Sequence, residues 1–412
     1  MDSRILNLFT ARGREAQRTA VRARKSKQAR SFLEQGKISE AKTICQELLA
    51  VVPGDFESIM ILAEIVAGEK DLVLACQLYQ RAIDSNPNDA VPCYKLANVL
   101  MDRGQLGPAL RHYDQAVTLD PKYANAYCNR GVVLQRLNRL EEALASYEQC
   151  SMLNPADALA HFNRGTLLRD MRRPNEALAS FGHAIAASPT YVAAFYNRGM
   201  LLQEQGRLDA ALADYDKALE IDPRFAQCYV ARGNLQRLRK QLQMALVDFD
   251  KAIALDSRGV AAFPAYCSKA FMLKEMKRLT EALANYDNAI ELRSDDSEVY
   301  LNRGGIMQEL GCHEQAIASF DRAILLKPNS VESFHRRAFS LLNLGRHDLA
   351  ITSFDQAIAL KPDQEYLSGF RRYVQMQICD WGGIAVYLEQ LDKDLRARRP
   401  ISAPFQVLAL VD

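Results

Sequence analysis

Apolar residues recur along most of the chain in pairs of helical stripes, and residues 192–223 show the pattern clearly. The two stripes are formed by Phe195, Gly199 and Leu202, and by Ala211, Tyr215 and Ala218. Spacings of three and four residues place each set on one face of a helix. Gly206 stands between the stripes, where glycine readily adopts the positive φ that ends a helix. Pro223 cannot continue a helix, so the pattern predicts two helices joined by a tight turn.

This pair repeats at a constant interval along the chain. Prolines mark the period at Pro53, Pro87, Pro121, Pro155, Pro189 and Pro223. Ser257 takes the next place, and the interval from Ser257 to Ser294 is longer than the others, so three residues are inserted near 259–262. The regular step resumes at Pro328 and Pro362. A lone helix pair cannot bury its apolar face, so the repeats must stack, and we expect a small kink or bulge at 258–262.

Three further residue types keep the same period. Alanines recur twelve positions before each mark, at Ala41, Ala75, Ala109, Ala143, Ala177, Ala211, Ala245, Ala282, Ala316 and Ala350. Aromatic residues recur eight positions before, at Tyr79, Tyr113, Tyr147, Phe181, Tyr215, Phe249, Tyr286, Phe320 and Phe354. Glycine or alanine recurs 24 positions before, at Ala63, Ala97, Gly131, Gly165, Gly199, Gly233, Ala270, Gly304 and Ala338. Small residues permit close helix approach, and the aromatic ring fills the space beside them.

The pattern resembles the tetratricopeptide repeat. The resemblance implies an all-α fold, a right-handed superhelical solenoid of helix pairs in which the first helix of each pair, helix A, lines the concave face. It predicts three segments: a basic N-terminal helix at 1–21, ten repeats at 22–362, and a helical adaptor at 363–412. Where the family usually has leucine before the small residue, this chain has a basic row. The row consists of Arg130, Arg164, Arg198, Arg232, Lys269, Arg303 and Arg337. We expect it to be partly exposed, with its aliphatic stems packed.

An asparagine recurs on helix A in the motif Asn-Arg-Gly, at Asn129, Asn163, Asn197 and Asn302. Helix interiors do not favour asparagine, so its recurrence calls for a reason. A primary amide donates and accepts hydrogen bonds, so one amide per repeat could hold the backbone of an extended peptide. Alternatively, these residues bridge neighbouring helices or record recent duplication of the repeat. The first interpretation predicts a peptide-binding site at these four residues.

The period is expected to fail after Pro362. The segment Cys-Asp-Trp at 379–381, the following helix and the apolar run at 405–411 resemble the junction in O-linked N-acetylglucosamine transferase-like proteins of the bacterial SPINDLY type. In that family a tetratricopeptide array leads into a glycosyltransferase, and the asparagines are taken to hold acceptor proteins. The resemblance implies that 363–412 begins a glycosyltransferase domain and that the repeats recognise its acceptors. The alternatives are a stand-alone scaffold or co-chaperone-like adaptor, and an ordinary capping helix at the end of the array.

Composition and charge narrow the possible classes of protein and partner. Apolar residues make up 49% and charged residues 25%, which are globular values, and a net charge of +2 gives no reason to expect nucleic acid. No apolar run is long enough to span a membrane. The nine cysteines form no Cys-x-x-Cys motif, which favours a reduced, cytoplasmic location. Motifs for catalysis, cofactors or metals are absent, so the expected partners are extended proteins or peptides. The apolar tail also suggests self-association.

Overall fold

The computed structural model describes residues 3–362 and 367–380, together with the single residues 382, 385, 386, 389 and 393, and it describes side chains from residue 19 onward. This part of the chain forms 21 α-helices and contains no strand. Helices follow one another as pairs, an odd-numbered helix A and then an even-numbered helix B. The predicted all-α solenoid of helix pairs is confirmed.

The chain divides into two compact units, Met1–Gly206 and Arg207–Asp412. Unit 1 holds α1 (Ser3–Glu34), α2 (Ile38–Val51), α3 (Phe56–Gly68), α4 (Leu72–Ser85), α5 (Ala90–Asp102), α6 (Leu106–Leu119), α7 (Ala124–Arg136), α8 (Leu140–Leu153), α9 (Ala158–Asp170), α10 (Pro174–Ala187) and α11 (Val192–Glu204). Unit 2 holds α12 (Leu208–Ile221), α13 (Ala226–Leu238), α14 (Leu242–Leu255), α15 (Ala262–Glu275), α16 (Leu279–Leu292), α17 (Ser297–Glu309), α18 (His313–Leu326), α19 (Val331–Asn343), α20 (His347–Leu360) and α21 (Leu367–Gln377).

The first helix is longer than the others. α1 runs without a break for 32 residues, so the basic N-terminal segment and helix A of the first pair belong to one element. Its C-terminal half packs on α2 and α3, where Ala29 is completely buried together with Ala41 and Cys45.

Within each unit, an aromatic ring from helix B packs against a small residue of helix A in every pair after the first, which has Cys45 at the ring position. The rings of Tyr79, Tyr113, Tyr147, Phe181, Tyr215, Phe249, Tyr286, Phe320 and Phe354 are all buried. Where the small residue is glycine, the ring lies directly on the backbone. A β-carbon added at Gly165, for example, would lie 2.7 Å from Cε1 of Phe181. The ring therefore occupies the space that a side chain at the small position would need.

The turn from helix A to helix B has the same backbone conformation in all ten pairs. One residue in each turn adopts positive φ, namely Gly36, Lys70, Gly104, Asn138, Arg172, Gly206, Lys240, Lys277, Gly311 and Gly345. These residues share one repeat position, and glycine occupies half of the ten. Since only glycine avoids a steric penalty in this conformation, the turn geometry is imposed by the packing of the helices rather than by the turn residue.

The basic row links consecutive helices B. The Nε atom of Arg303 donates to Asp287 Oδ1 of the preceding helix B at 2.7 Å, and its Nη1 donates to Ser319 Oγ of the following one at 2.8 Å. Acidic partners of the preceding helix B recur for Arg130, Arg164, Arg232, Lys269 and Arg337, and they are Asp114, Glu148, Asp216, Asp250 and Asp321 respectively. The side chain of Arg303 is 24% exposed. We call this arrangement the arginine clamp; it is half-buried and paired, which agrees with packed stems and leaves few of its donors for a ligand.

The three inserted residues lie in the loop between α14 and α15 and leave the helices regular. Asp256 closes this loop by accepting a hydrogen bond from the Ala261 amide at 2.9 Å. A β-carbon at Gly259 would lie 1.9 Å from Oδ1 of Asp256, so a larger residue there would displace the Asp256 side chain. The expected irregularity at 258–262 is thus a longer loop between two pairs.

The period continues beyond Pro362, contrary to expectation. α21 packs on the preceding pair, where Leu367 and Val374 are buried beside Phe354. Arg371 stands one full repeat after Arg337 and pairs with Asp355 of α20, as in the arginine clamp. Cys379, one repeat after Gly345, has a φ of 56°, as in the other turns. Residues 367–380 therefore form one more helix A and its turn. Trp381 and the apolar run at 405–411 lie outside the described residues, so the adaptor and its junction stay predictions.

Candidate functional site

Three of the four recurring asparagines lie on successive A helices of unit 1. Asn129 belongs to α7, Asn163 to α9 and Asn197 to α11, and all three are half-buried. Each directly precedes a residue of the basic row. Because neighbouring positions on a helix point about 100° apart, the arginine reaches the B helices while the asparagine lies where successive A helices meet. We call these three residues the amide track.

Asn129 takes part in a hydrogen-bond network with the preceding helix A. Its Nδ2 donates to the Tyr94 hydroxyl at 3.2 Å and to Asn98 Oδ1 at 2.9 Å. The hydroxyl of Tyr113 also donates to Asn98 Oδ1, at 2.5 Å. Both amide protons of Asn129 are therefore used, whereas its carbonyl oxygen accepts no hydrogen bond from the described residues.

Asn197 is held in a different way. Its Oδ1 accepts from Nη1 of Arg169, on the preceding helix A, at 2.8 Å, and its Nδ2 donates to the carbonyl oxygen of Ala193 at 2.8 Å. One proton of the amide nitrogen remains unused by the described residues. Asn163 contacts Cys128, also on the preceding helix A. The pKa of that thiol is lowered mainly by a hydrogen bond from Cys150 and further by one from Asn163.

Two features of the amide track follow. Each side chain contacts the preceding helix A, so none of the three is directed solely into the packing between helices A and B. Bridging between neighbouring helices, the alternative considered from the sequence, is observed for Asn129 and Asn197. Both of these amides nevertheless keep a hydrogen-bonding group that the described part of the fold does not use.

Asn302 lies apart from the amide track, on α17 in unit 2. It lines a cavity of about 260 Å³ together with Asn234, Ser268, Phe271 and Cys267. The Arg237 guanidinium lies 5.0 Å from the centre of the Phe271 ring, which is 41% exposed. Ala231 and Ser268 occupy the asparagine position in the two intervening A helices of this unit, so Asn302 continues no row of amides there.

Sequence reasoning missed the residues that hold the amides. Tyr94, Asn98 and Arg169 do not recur in the repeats on either side of their own, so periodicity gives no signal for them. The cavity around Asn302 was missed for the same reason, because Phe271 and Asn234 share a position at which the side chain changes from repeat to repeat.

A second and larger cavity lies in unit 1 between α1 and the loop that precedes α3. Its volume is about 690 Å³, and its lining includes Arg22, Arg30, Asp55 and Glu57. Arg30 pairs with Glu57 at 3.1 Å, and Arg22 with Asp55 at 3.4 Å. The two carboxylates thereby balance the positive charge of the two arginines that line the cavity. No helix in the part of the chain that the structure describes combines the length and apolar character that a membrane crossing needs.

Solved structures similar to this chain include proteins built from the same type of repeat. YrrB, a TPR protein with an unusual peptide-binding site, shares 29% identity over 45% of this chain and 96% of its own, with a TM-score of 0.40. A tetratricopeptide repeat protein from Parabacteroides merdae shares 20% identity over 61% of this chain and 96% of its own, with a TM-score of 0.45. The APC/C hetero-tetramer Cut9-Hcn1 shares 14% identity over 84% of this chain and 95% of that chain, with a TM-score of 0.44. No curated protein matches the sequence.

Family models match most of the repeats. A TPR repeat model matches residues 97–138 and 272–311, and tetratricopeptide repeat models match 26–90, 124–157, 192–225, 297–330 and 331–364. Together these matches span more than half of the chain, and those at 124–157, 192–225, 297–330 and 331–364 each span one helix pair. The chain is a tetratricopeptide-repeat protein.

Proposed function

We propose that this tetratricopeptide-repeat scaffold for protein–protein interaction binds an extended peptide along the A helices of unit 1, and that the amide track holds the peptide backbone. The observation that carries the proposal is the recurrence of a half-buried amide at one position of three successive A helices. Tetratricopeptide arrays are interaction scaffolds, and the amide track adds a specific means of recognition.

The spacing of the helices suits a peptide backbone. Packed helices lie about 8–10 Å apart, and three residues of an extended chain span about 10 Å. One amide per helix can therefore engage every third peptide group. A peptide group presents one donor and one acceptor, as a primary amide does, so the contact does not depend on the peptide's side chains.

The unused groups of the amide track determine whether each asparagine would donate a hydrogen bond to the peptide or accept one from it. Asn129 offers its carbonyl oxygen, which would accept from a peptide N–H. Asn197 offers one N–H, which would donate to a peptide carbonyl oxygen. Since each hydrogen bond contributes about 0.5–1.5 kcal/mol, three of them stabilise a complex by about 1.5–4.5 kcal/mol.

The test is a selection from a random linear peptide library on the full chain, followed by affinity measurement with the peptides obtained. The triple variant Asn129→Ala, Asn163→Ala, Asn197→Ala should bind them about 10- to 100-fold more weakly. N-methylation of single backbone amides should weaken binding at about every third position. Shuffling the side chains at those same positions should have a smaller effect.

The matched control is the pair Asn175→Ala and Asn288→Ala, which removes exposed amides from B helices. This variant should bind like the unmodified chain. Thermal unfolding of all variants separates lost binding from lost folding. Normal affinity of a folded triple variant, or indifference to N-methylation, would show that the amides serve only to bridge helices.

A more specific function is the recognition of acceptor proteins for an O-linked N-acetylglucosamine transferase-like enzyme. Its support is the resemblance of the segment around 379–381 and of the run at 405–411 to the junction of that family. The test is the reading frame that follows Asp412. An α/β domain of several hundred residues, whose transfer of sugar to proteins depends on the amide track, would support this function. An immediate stop codon would favour the stand-alone scaffold or adaptor.

A further inference from the structure

Three side chains that could bind a metal ion meet inside unit 1. Cys128 comes from α7, Cys150 from α8, and Asp157 directly precedes α9. Their two Sγ atoms and one carboxylate oxygen all lie within 4.8 Å of one another. Cys128 is 6% exposed, Cys150 is completely buried, and Asp157 is half-buried. No other group of three or more such ligand atoms occurs in the described part of the chain.

We propose that Cys128, Cys150 and Asp157 form a binding site for a thiophilic divalent cation of the Zn²⁺ class. Two thiolates and one carboxylate oxygen are ligands that Zn²⁺ takes in proteins. Binding would form two metal–sulfur bonds and release the two thiol protons to solvent. A fourth position is left for solvent.

The separations suit a cation after small side-chain movements. Zn–S bonds of about 2.3 Å and Zn–O bonds of about 2.0–2.2 Å, arranged tetrahedrally, place neighbouring ligand atoms about 3.5–3.8 Å apart. Cys150 Sγ lies 4.0 Å from Asp157 Oδ2. Closing the triangle around a metal therefore requires side-chain shifts of less than about 1 Å, which χ rotation supplies.

The orientation of the carboxylate is already fixed. Oδ1 of Asp157 accepts hydrogen bonds from the backbone amides of Leu159 at 3.0 Å and Ala160 at 3.1 Å, which cap α9. Oδ2 is thereby directed toward Cys150. Asp157 makes no ion pair with any described residue, so the carboxylate faces a buried thiol without a cation beside it.

A neighbouring amide also contacts the cluster. The Asn163 amide, hydrogen-bonded to Cys128, would orient that sulfur from outside the coordination sphere. A bound ion would connect α7, α8 and α9 next to the middle residue of the amide track.

The sequence conceals this site because its ligands come from three different elements. The intervals that separate Cys128, Cys150 and Asp157 match no zinc motif. The repeat positions of both cysteines carry other residues in the neighbouring repeats. Only the packing of α7 and α8 brings the sulfur atoms together.

The experiment uses the full chain with Cys312→Ser and Cys379→Ser, which remove the two exposed thiols. The reduced, metal-free protein is titrated with Co²⁺, which reports thiolate coordination through its charge-transfer absorption, and then with Zn²⁺. One equivalent of Co²⁺ should bind and be displaced by Zn²⁺. Saturation with Zn²⁺ should raise the melting temperature, because the ion binds the folded chain preferentially.

Two further variants test the assignment. Cys128→Ser with Cys150→Ser should lower the metal affinity at least 100-fold and abolish the thermal shift. Asp157→Asn should lower the affinity about 10-fold while keeping the cap of α9, because asparagine caps helices as well as aspartate does. Cys93→Ser with Cys228→Ser, a control at two other buried thiols, should leave binding unchanged.

Several results would overturn the proposal. These are a lack of Co²⁺ binding by the reduced protein, equal binding by the Cys128→Ser, Cys150→Ser variant, and a Cys128–Cys150 disulfide in place of metal binding. Melting temperatures without metal show whether each variant is folded. Peptide binding is not needed for the assay, so its outcome is independent of the proposed function.

Discussion

At the residue scale, a glycine of helix A packs directly against an aromatic ring of helix B. Four described glycines have this contact, and in other pairs an alanine stands beneath the same ring. Where the residue beneath the ring is glycine, the ring occupies the space that the methyl group of an alanine would need.

Gly165→Ala should destabilise the chain by about 1–3 kcal/mol, the usual range for overpacking a tight site. The new β-carbon would meet Phe181 Cε1 at 2.7 Å. Equilibrium urea unfolding measures the change. Gly182→Ala is the matched control, because Gly182 lies within α10 and its nearest contact would be Arg198 at 3.9 Å. That substitution should stabilise the helix by about 0.5–1 kcal/mol. Destabilisation by both substitutions would contradict the packing argument.

Turn residues with positive φ give a second prediction. Lys240 has a φ of 60° in the turn before α14. Lys240→Gly should raise the melting temperature by a few degrees, because glycine avoids a steric penalty of about 1–2 kcal/mol at positive φ. Part of this gain is lost, because glycine increases the conformational entropy of the unfolded chain. Gly311→Ala, at the equivalent turn before α18, should lower the melting temperature. Identical changes for both variants would show that the turns are not strained.

His335 gives a prediction on pH. It lies among the rings of Phe339, Phe354 and Phe370. Burial lowers its pKa, opposed by Glu332 and assisted by Arg336. The folded pKa lies below the ordinary value of about 6.5, so the unfolded chain binds a proton first. The free energy of unfolding should therefore decrease as the pH falls from about 6.5 toward the folded pKa.

The variant His335→Phe should lose less stability between pH 7 and pH 5 than the unmodified chain. Phenylalanine already occupies the equivalent position at Phe162. Urea unfolding at each pH gives the slope, and equal slopes for the two proteins would show that His335 does not carry the effect.

At the element scale, the arginine clamp connects a helix A to the B helices before and after it, as Arg130, Arg232, Arg303 and Arg337 show. Arg232 has two acidic partners, with hydrogen bonds to Asp216 at 2.6 Å and to both carboxylate oxygens of Asp248 at 2.7 and 2.8 Å. The side chain of Asp248 is only 3% exposed. A buried carboxylate of this kind depends on its arginine.

Arg232→Met should therefore destabilise the chain by about 3–5 kcal/mol, because it leaves Asp248 buried and unpaired. The double variant Arg232→Met, Asp248→Ser should recover a large part of this loss. Serine is the residue at this position in several other pairs, for example Ser319. Chemical unfolding measures both variants, and a double variant no more stable than the single one would contradict the pairing.

The sequence predicted the helices well because their signals recur. The helix ends, turns and buried stripes of the ten pairs follow from prolines, glycines and alanines at fixed spacing. Prediction failed where a signal occurs once. Arg372 replaces the small residue in α21, so the period seemed to end there, although Arg371 and Cys379 keep it. The asparagines were recognised by recurrence, but their hydrogen-bond partners are particular to each repeat.

At the scale of the whole molecule, contacts within each unit are local. A helix packs mainly on the helices one or two places away in the chain. Stability is then nearly a sum of repeat and interface contributions, and a local weakness stays local. In Gly165→Ala, hydrogen exchange should increase in α8–α11 and stay unchanged in α17–α21. Faster exchange throughout the chain would instead indicate a single cooperative block.

The arginine clamp has a practical consequence for dividing the chain. Arg130, Arg164, Arg232, Arg303 and Arg337 each pair with an acid on the preceding helix B, so these helix pairs do not contain all the partners of their own charges. A fragment that starts at Ala124 keeps Arg130 but loses Asp114, whereas one that starts at Leu106 keeps both. The natural cutting points therefore lie before a helix B. Where the arginine clamp is present, the smallest segment that keeps its charges paired is a helix A together with the helices B before and after it.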